Sequence, residues 1–175
     1  MTKTKNQLLF ENLDNTHYTT TAIATKEYPI FKNDFKGILG YDAETNGSIA
    51  LQKGHQREAL KNELTTAVVL KENGHAVVLL SELGHGKHPD ALIDGILSEF
   101  KQVRKLTIRA LKEDFYEARK KGAKKIVLEV KVDTERTFLF DLLRRIACNS
   151  MVNELQDVFL IFDNKLEKFI LNDLK

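Results

Sequence analysis

Apolar residues recur at helical spacing from residue 56, where Ala59, Leu60, Leu64, Ala67 and Val68 share one stripe and Asn73-Gly74 closes the run. This predicts one helix of about four turns. After His75 the pattern becomes a nearly continuous apolar stretch to Leu80 with two adjacent valines, which suits a buried strand. Residues 81–89, with Gly84 and Gly86, read as a loop. In the next stretch Asp94-Gly95 is flanked by apolar residues, the strongest short-range signal for a hairpin with a two-residue turn. Ile108, Leu111, Phe115 and Ala118 mark one face of a helix over 107–121, and Gly122 stands just past its end. A strand over 125–131, a helix over 135–152 and a closing hairpin of 158–162 with 166–171 around 163–165 complete the series. Residues 1–54 differ. Short apolar pieces at Tyr28-Pro-Ile-Phe31 and Ile38-Leu-Gly-Tyr41 alternate with glycines at 37, 40, 47 and 54, as in an N-terminal extension of short strands and turns before a main region at 55–175. From residue 56 the order is helix, strand, hairpin, helix, strand, helix, hairpin, an α/β sandwich of mixed sheet direction.

Composition adds boundaries to this picture. A chain of 175 residues, 42% hydrophobic and 30% charged with two prolines, can bury a substantial core. No apolar run approaches the roughly 18 to 20 residues that cross a bilayer, and Met1-Thr-Lys-Thr-Lys-Asn is not followed by the apolar stretch of a secretion signal. A cytoplasmic site of action is expected, which is compatible with delivery as part of a larger secreted chain. The single cysteine, Cys148, excludes an internal disulfide and any multi-cysteine zinc site. Its place after Leu142, Leu143, Ile146 and Ala147 predicts that it packs in the core. The net charge of +2 is ordinary, but from Lys101 to Lys125 ten Lys/Arg stand against three acids, a local +7. Such a block suits a polyanion, or a solvated helix face.

The hairpin turns these charges into chemistry. With Asp94 and Gly95 as the loop, partner numbers sum to 189, so Asp90 is expected opposite Glu99. Like charges facing one another across a hairpin are destabilising unless offset, so neutralising either carboxylate is expected to leave the fold intact or slightly more stable. A divalent cation offsets them well, since Mg²⁺ prefers hard carboxylate oxygens. Lys101, two residues beyond Glu99, points to the same face of its strand. A cation and an ammonium on one surface suit phosphodiester hydrolysis, where the metal acidifies a water and the lysine orients it or screens the developing charge. Glu63, at the edge of its helix's apolar stripe, is drawn toward the sheet as a fourth member.

Pro89-Asp90 followed by Glu99-Phe100-Lys101, with Glu63 on a preceding helix and a helix and strand after, resembles the PD-(D/E)XK nuclease superfamily. The resemblance implies a core of helix, three strands, helix and strand, here with an extra helix and a C-terminal hairpin. It also implies Mg²⁺ or Mn²⁺ held by Asp90, Glu99 and Glu63, with Lys101 assisting the attacking water. Over about 59–171 the segments Asn62-Glu-Leu-Thr-Thr-Ala-Val-Val-Leu70, Gly74-His-Ala-Val-Val-Leu-Leu-Ser-Glu82, Pro89-Asp-Ala-Leu-Ile-Asp-Gly95, Glu99-Phe-Lys101 and Thr107-Ile-Arg109 are similar to the C-terminal transfer-RNA nuclease domains of contact-dependent growth-inhibition toxins (CdiA-type) and related polymorphic toxins. That likeness implies an RNA-cleaving toxin and a cognate immunity protein as its partner.

The remaining candidates serve the nucleic acid. Lys87 and His88 run directly into Asp90 and are read as phosphate contacts, although histidines in such loops, His85 included, are more often simply exposed. Arg104, Lys105, Arg109, Arg119, Lys120 and Lys121 belong to the basic block. Thr107 opens the basic helix, where backbone amides favour phosphate, and capping is its other reading. A DNA endonuclease with the same site, and a non-catalytic nucleic-acid-binding or assembly module, are the alternatives to a ribonuclease.

Overall fold

The computed structural model of the chain describes residues 35–42, 44–52, 57–81, 88–148 and 154–174. Its elements are β1 (Phe35–Tyr41), β2 (Ser48–Gln52), α1 (Arg57–Glu72), β3 (Ala76–Leu79), β4 (Ala91–Ile93), β5 (Ile96–Val103), α2 (Ile108–Lys120), β6 (Lys125–Val130), α3 (Arg136–Ala147), β7 (Asp157–Phe162) and β8 (Lys165–Ile170), followed by a 3-10 turn at Leu171–Leu174. The run from α1 to β6 has the expected order of helix, three strands, helix and strand, with α3 and the β7–β8 hairpin beyond it. The chain divides into two units, one of Met1–Gly86 with Asp90–Gly95 and one of Lys87–Pro89 with Ile96–Lys175. The boundary expected at 54/55 lies outside the described residues. No described helix is long and apolar enough to cross a membrane.

In the first unit β1 pairs antiparallel with β2, β2 pairs parallel with β3, and β3 pairs antiparallel with β4. A parallel β2–β3 pair requires a crossover, and α1 supplies it. The end of α1 follows from Gly74, whose φ of 84° lets the chain reverse. His75 N–H donates to the Leu70 carbonyl and Gly74 N–H to that of Lys71, satisfying carbonyls the helix leaves open. Gly47 is fixed by close approach instead. A Cβ there would fall 1.8 Å from the Lys71 carbonyl oxygen, so only glycine lets β2 begin beside the helix end. Ala50, Val78 and Leu92 lie at matched register positions in β2, β3 and β4 and pack in one buried cluster with Ala76.

In the second unit β5, β6 and β7 run parallel, with β8 antiparallel at the end. The crossovers are α2 and α3. Leu111, Phe115 and Ala118 of α2 and Leu139, Leu142, Leu143 and Ile146 of α3 pack with Ile126 and Leu128 of β6 and Val158 and Leu160 of β7. The alternate strand residues Val127, Phe159 and Ile161 are buried as well, as parallel strands covered on both faces should be. The α2 terminus repeats the closure of α1: Gly122 has φ 83°, Ala123 N–H donates to Ala118 and Gly122 N–H to Arg119.

Three local expectations change. The last helix ends at Ala147 with Cys148 as its C-cap, and the end expected at residue 152 lies outside the described residues. Cys148 is exposed, because two residues past Ile146 the helix has turned away from the core stripe. The final turn has two residues, Asp163 and Asn164, both with positive φ, so Lys165 already belongs to β8.

Candidate functional site

In the second unit β5 carries Glu99 and Lys101 on the face that α2 covers. Side chains alternate along the strand, and Val103, two residues further, joins the core with Leu111 and Phe115 of α2. Asp114 and Glu117 of α2 and its C-cap Lys121 follow one another at three- and four-residue spacing and so border that same face. The result is a chain of ion pairs. Lys121 Nζ donates to Glu99 Oε1 at 2.6 Å, Lys101 Nζ lies 3.3 Å from the same oxygen, and Lys101 Nζ donates to Glu117 Oε2 at 2.7 Å. Glu99 is 1% exposed, so a carboxylate has been taken out of water and is compensated by two ammonium groups.

The electrostatics fix the state of Lys101. Burial works against its ammonium, but the hydrogen bond to Glu117 and the charges of Glu99 and Glu117 outweigh it, so its pKa stands above the usual lysine value. Lys101 is therefore a cation at neutral pH. It can donate hydrogen bonds and stabilise negative charge, and it does not serve as a proton acceptor. Asp114 is shifted the other way from a typical surface carboxyl. Burial raises its pKa, Lys101 lowers it, and the charges of Glu117 and Glu113 raise it again, with a net rise.

Asp90 and Glu63 belong to the first unit. Asp90 is half-buried directly before β4, and its carbonyl accepts from Leu80 N–H. Glu63 is half-buried on α1 beside the fully buried Leu64. The turn that joins β4 to β5 has φ 51° at Asp94 and 80° at Gly95, the conformation a two-residue hairpin loop requires. Asp94 does more than form the turn: its carboxylate accepts from Ala76 N–H at 3.0 Å and pairs with His75 Nδ1 at 2.7 Å. Among the described residues, no group of three or more His, Cys, Asp or Glu side chains is placed to hold a metal ion.

The residues read as nucleic-acid contacts divide into several kinds. Lys87 lies outside the described residues, and His88 is exposed. Arg104, Lys105, Arg109 and Lys120 are exposed, with Arg104 Nη2 donating to Gln102 Oε1 at 3.3 Å. Thr107 caps α2, its hydroxyl accepting from Ala110 N–H at 3.2 Å, so the capping reading describes its side chain. Arg119 is half-buried and lies over the Tyr116 ring at 5.9 Å. Lys121 is turned inward onto Glu99. The basic block also loses Lys125, which is 2% exposed and lies 4.4 Å from the centroid of the Phe159 ring, because odd-numbered residues of β6 face away from α2.

Glu117 and Asp114 are the members that sequence reading missed, having been counted only as charges subtracted from the basic block. The i, i+4 spacing of Glu117 and Lys121 puts both on one flank of the helix, but which way that flank packs is not contained in the spacing.

No family model matches the chain, and no curated protein matches it. Among solved structures, a chain of the CdiA-CT/CdiI toxin and immunity complex from Burkholderia pseudomallei is similar, with a TM-score of 0.52 and 18% identity, over 69% of this chain and 98% of that one. The likeness is one of fold.

Proposed function

We propose that this chain is a metal-dependent nuclease, an RNA-cleaving toxin domain acting on transfer RNA and neutralised by an immunity protein. The observation that carries the reading is the Glu99–Lys101 pair: two residues of one strand hold a buried carboxylate and an ammonium together beside a basic helix. The fold likeness to a chain of a toxin and immunity complex supports the toxin and its partner as the setting. The transfer-RNA substrate, and delivery within a larger secreted chain to a target cytoplasm, rest on the sequence resemblance.

One feature supports Mg²⁺ or Mn²⁺ in this reading. Lys121 Nζ sits 2.6 Å from Glu99 Oε1, so a positive charge is already accommodated at that oxygen. The second carboxylate, Asp90, and the third, Glu63, are carried over from the sequence reading. Mg²⁺ is commonly held by one or two carboxylates, with waters and substrate phosphate filling the remaining positions. When bound, the ion would supply an acidified water and charge stabilisation at phosphorus. The chain's own contribution is clearer. Glu99 would hold the cation, with Asp90 as the second ligand that the sequence resemblance implies; Lys101 would donate to the charge that builds on the phosphate oxygens, and Glu117 holds Lys101 in place and favours its protonated form. Lys121 must release Glu99 for a metal to reach it.

Wild-type protein incubated with total RNA and with plasmid DNA, each with Mg²⁺ and with chelator, tests the proposal. RNA cleaved only with Mg²⁺ is expected. DNA cleavage alone would replace the substrate, cleavage in chelator would overturn the metal, and no cleavage of either would overturn the nuclease.

A further inference from the structure

One cavity of the second unit opens beside the ion-pair chain. It has a volume of about 160 Å³ and is lined by Glu113, Tyr116, Glu117 and Lys120 of α2 and by its C-cap Lys121. Two of its walls are the side chains that hold the site together, since Glu117 binds Lys101 and Lys121 binds Glu99. A third wall is Tyr116, a large aromatic left 42% exposed on an otherwise charged helix face. A molecule in this cavity would thus touch an aromatic ring on one side and the Glu99–Lys101 network on the other.

The charges of the lining select the kind of molecule. Glu113 and Glu117 cancel Lys120 and Lys121, so the cavity itself is neutral and offers both acceptors and donors. A phosphate would meet two carboxylates there. A nucleobase presents a flat face for the ring, with N–H donors and carbonyl or ring-nitrogen acceptors at its edge. Cations stand along the helix on both sides of the ring, Arg109 and Lys112 toward its start and Lys120 toward its end, at three- and four-residue intervals that share one surface, while Arg119 lies 5.9 Å over one face of the ring and leaves a base the other. An aromatic set within a basic stripe is how proteins hold single-stranded nucleic acid, the ring taking a base and the cations the backbone beside it.

We propose that Tyr116 is the stacking platform for one unpaired base of the substrate, seated in this cavity so that the adjoining backbone is directed toward Glu99 and Lys101. The inference rests on the nuclease reading above and adds that the substrate is cut beside an unpaired base. Tyr116 is then a positioning residue, which binds substrate without taking part in the chemistry.

Two measurements test it. In cleavage assays Tyr116→Ala should raise KM about tenfold or more while kcat stays within about threefold, and Tyr116→Phe should restore the parent KM. The chain has no tryptophan, so Tyr116→Trp introduces a single fluorescent reporter. With chelator present, a single-stranded RNA hexamer should quench that indole, whereas inorganic polyphosphate of matched charge should not. Equal quenching by both, no quenching by RNA, or an unchanged KM in Tyr116→Ala would overturn the base site. Quenching by RNA in Tyr116→Trp, together with a wild-type chain that cleaves nothing, would instead overturn the nuclease and leave the base site standing. Cleavage without quenching would do the reverse.

Discussion

The two faces of β5 and β6 in the second unit each carry lysines among acids, yet they solve different problems. On the face toward α2, Lys121 and Lys101 converge on one buried carboxylate, with short contacts of 2.6 and 2.7 Å along the chain Lys121–Glu99–Lys101–Glu117. On the opposite face Lys125 is equally buried, but its ammonium lies over the Phe159 ring, with Asp157 Oδ2 at 3.9 Å, and Lys168 approaches the same oxygen at 3.4 Å. The first arrangement opens through Glu117 and Lys121 to a cavity at the surface, whereas in the second Lys125 is 2% exposed and packed against an aromatic ring. A buried charge costs folding free energy in either place. On the α2 side the charges also border a cavity, so the function proposed above assigns that side to binding and chemistry.

The largest effects are expected there. On the proposed function, Glu99→Gln should reduce cleavage on the order of 10³-fold and Lys101→Ala about 10²-fold, because each would remove charge that acts on the reacting phosphate or its metal. Glu99→Gln should also lower stability by about 2 kcal/mol in urea unfolding, since it leaves two ammonium groups facing an uncharged amide. This reverses the sign expected from like-charge repulsion across the hairpin alone. A variant as stable as the parent would mean that repulsion and attraction at Glu99 cancel.

A gentler test applies one substitution to both faces. Lys125→Met keeps the length of a buried stem and removes a charge whose neighbour Asp157 retains Lys168, so stability should change by no more than about 1 kcal/mol and cleavage should be unaltered. Lys121→Met should lower both. If the Lys125 variant lost cleavage with its fold intact, the contrast between the two faces would collapse.

How much of this was legible in the sequence depends on the range of the interactions. Elements set by local pattern were readable: the alternation of β5, the positive-φ turn at Asp94–Gly95 and the glycine endings of α1 and α2 all follow from neighbours in the chain. Glu99 and Lys101 were readable as a pair for the same reason, being two residues apart on one strand. Lys121 and Glu117 were not, because their roles depend on which way α2 packs after its crossover, a tertiary choice that its own periodicity leaves open between the apolar stripe and the flank beside it. Lys125 was misread as surface for the converse reason. A basic block is counted along the chain, whereas a strand sends alternate members to opposite faces.

The smallest expected effect concerns Asp114, and it turns on a sign. Burial, followed by the charges of Glu117 and Glu113, raises its pKa against the pull of Lys101. The folded state therefore binds this proton more tightly than the unfolded chain does. Ionised Asp114 subtracts stability above its folded pKa, and the deficit disappears as pH falls through that value to below the unfolded one. Asp114→Asn removes the deficit while keeping the shape, so it should stabilise the fold at neutral pH by less than about 1 kcal/mol, screened by solvent at a half-buried position. The gain should shrink as pH falls through the carboxyl range. Urea unfolding of parent and variant across that range reads the difference directly. A variant less stable than the parent at neutral pH would show that attraction to Lys101 outweighs burial, and Asp114 would then belong with Glu117 among the groups that hold Lys101 in place. The two outcomes also differ in activity: a residue that merely pays for burial leaves cleavage unchanged when neutralised, whereas one that holds Lys101 lowers kcat along with stability.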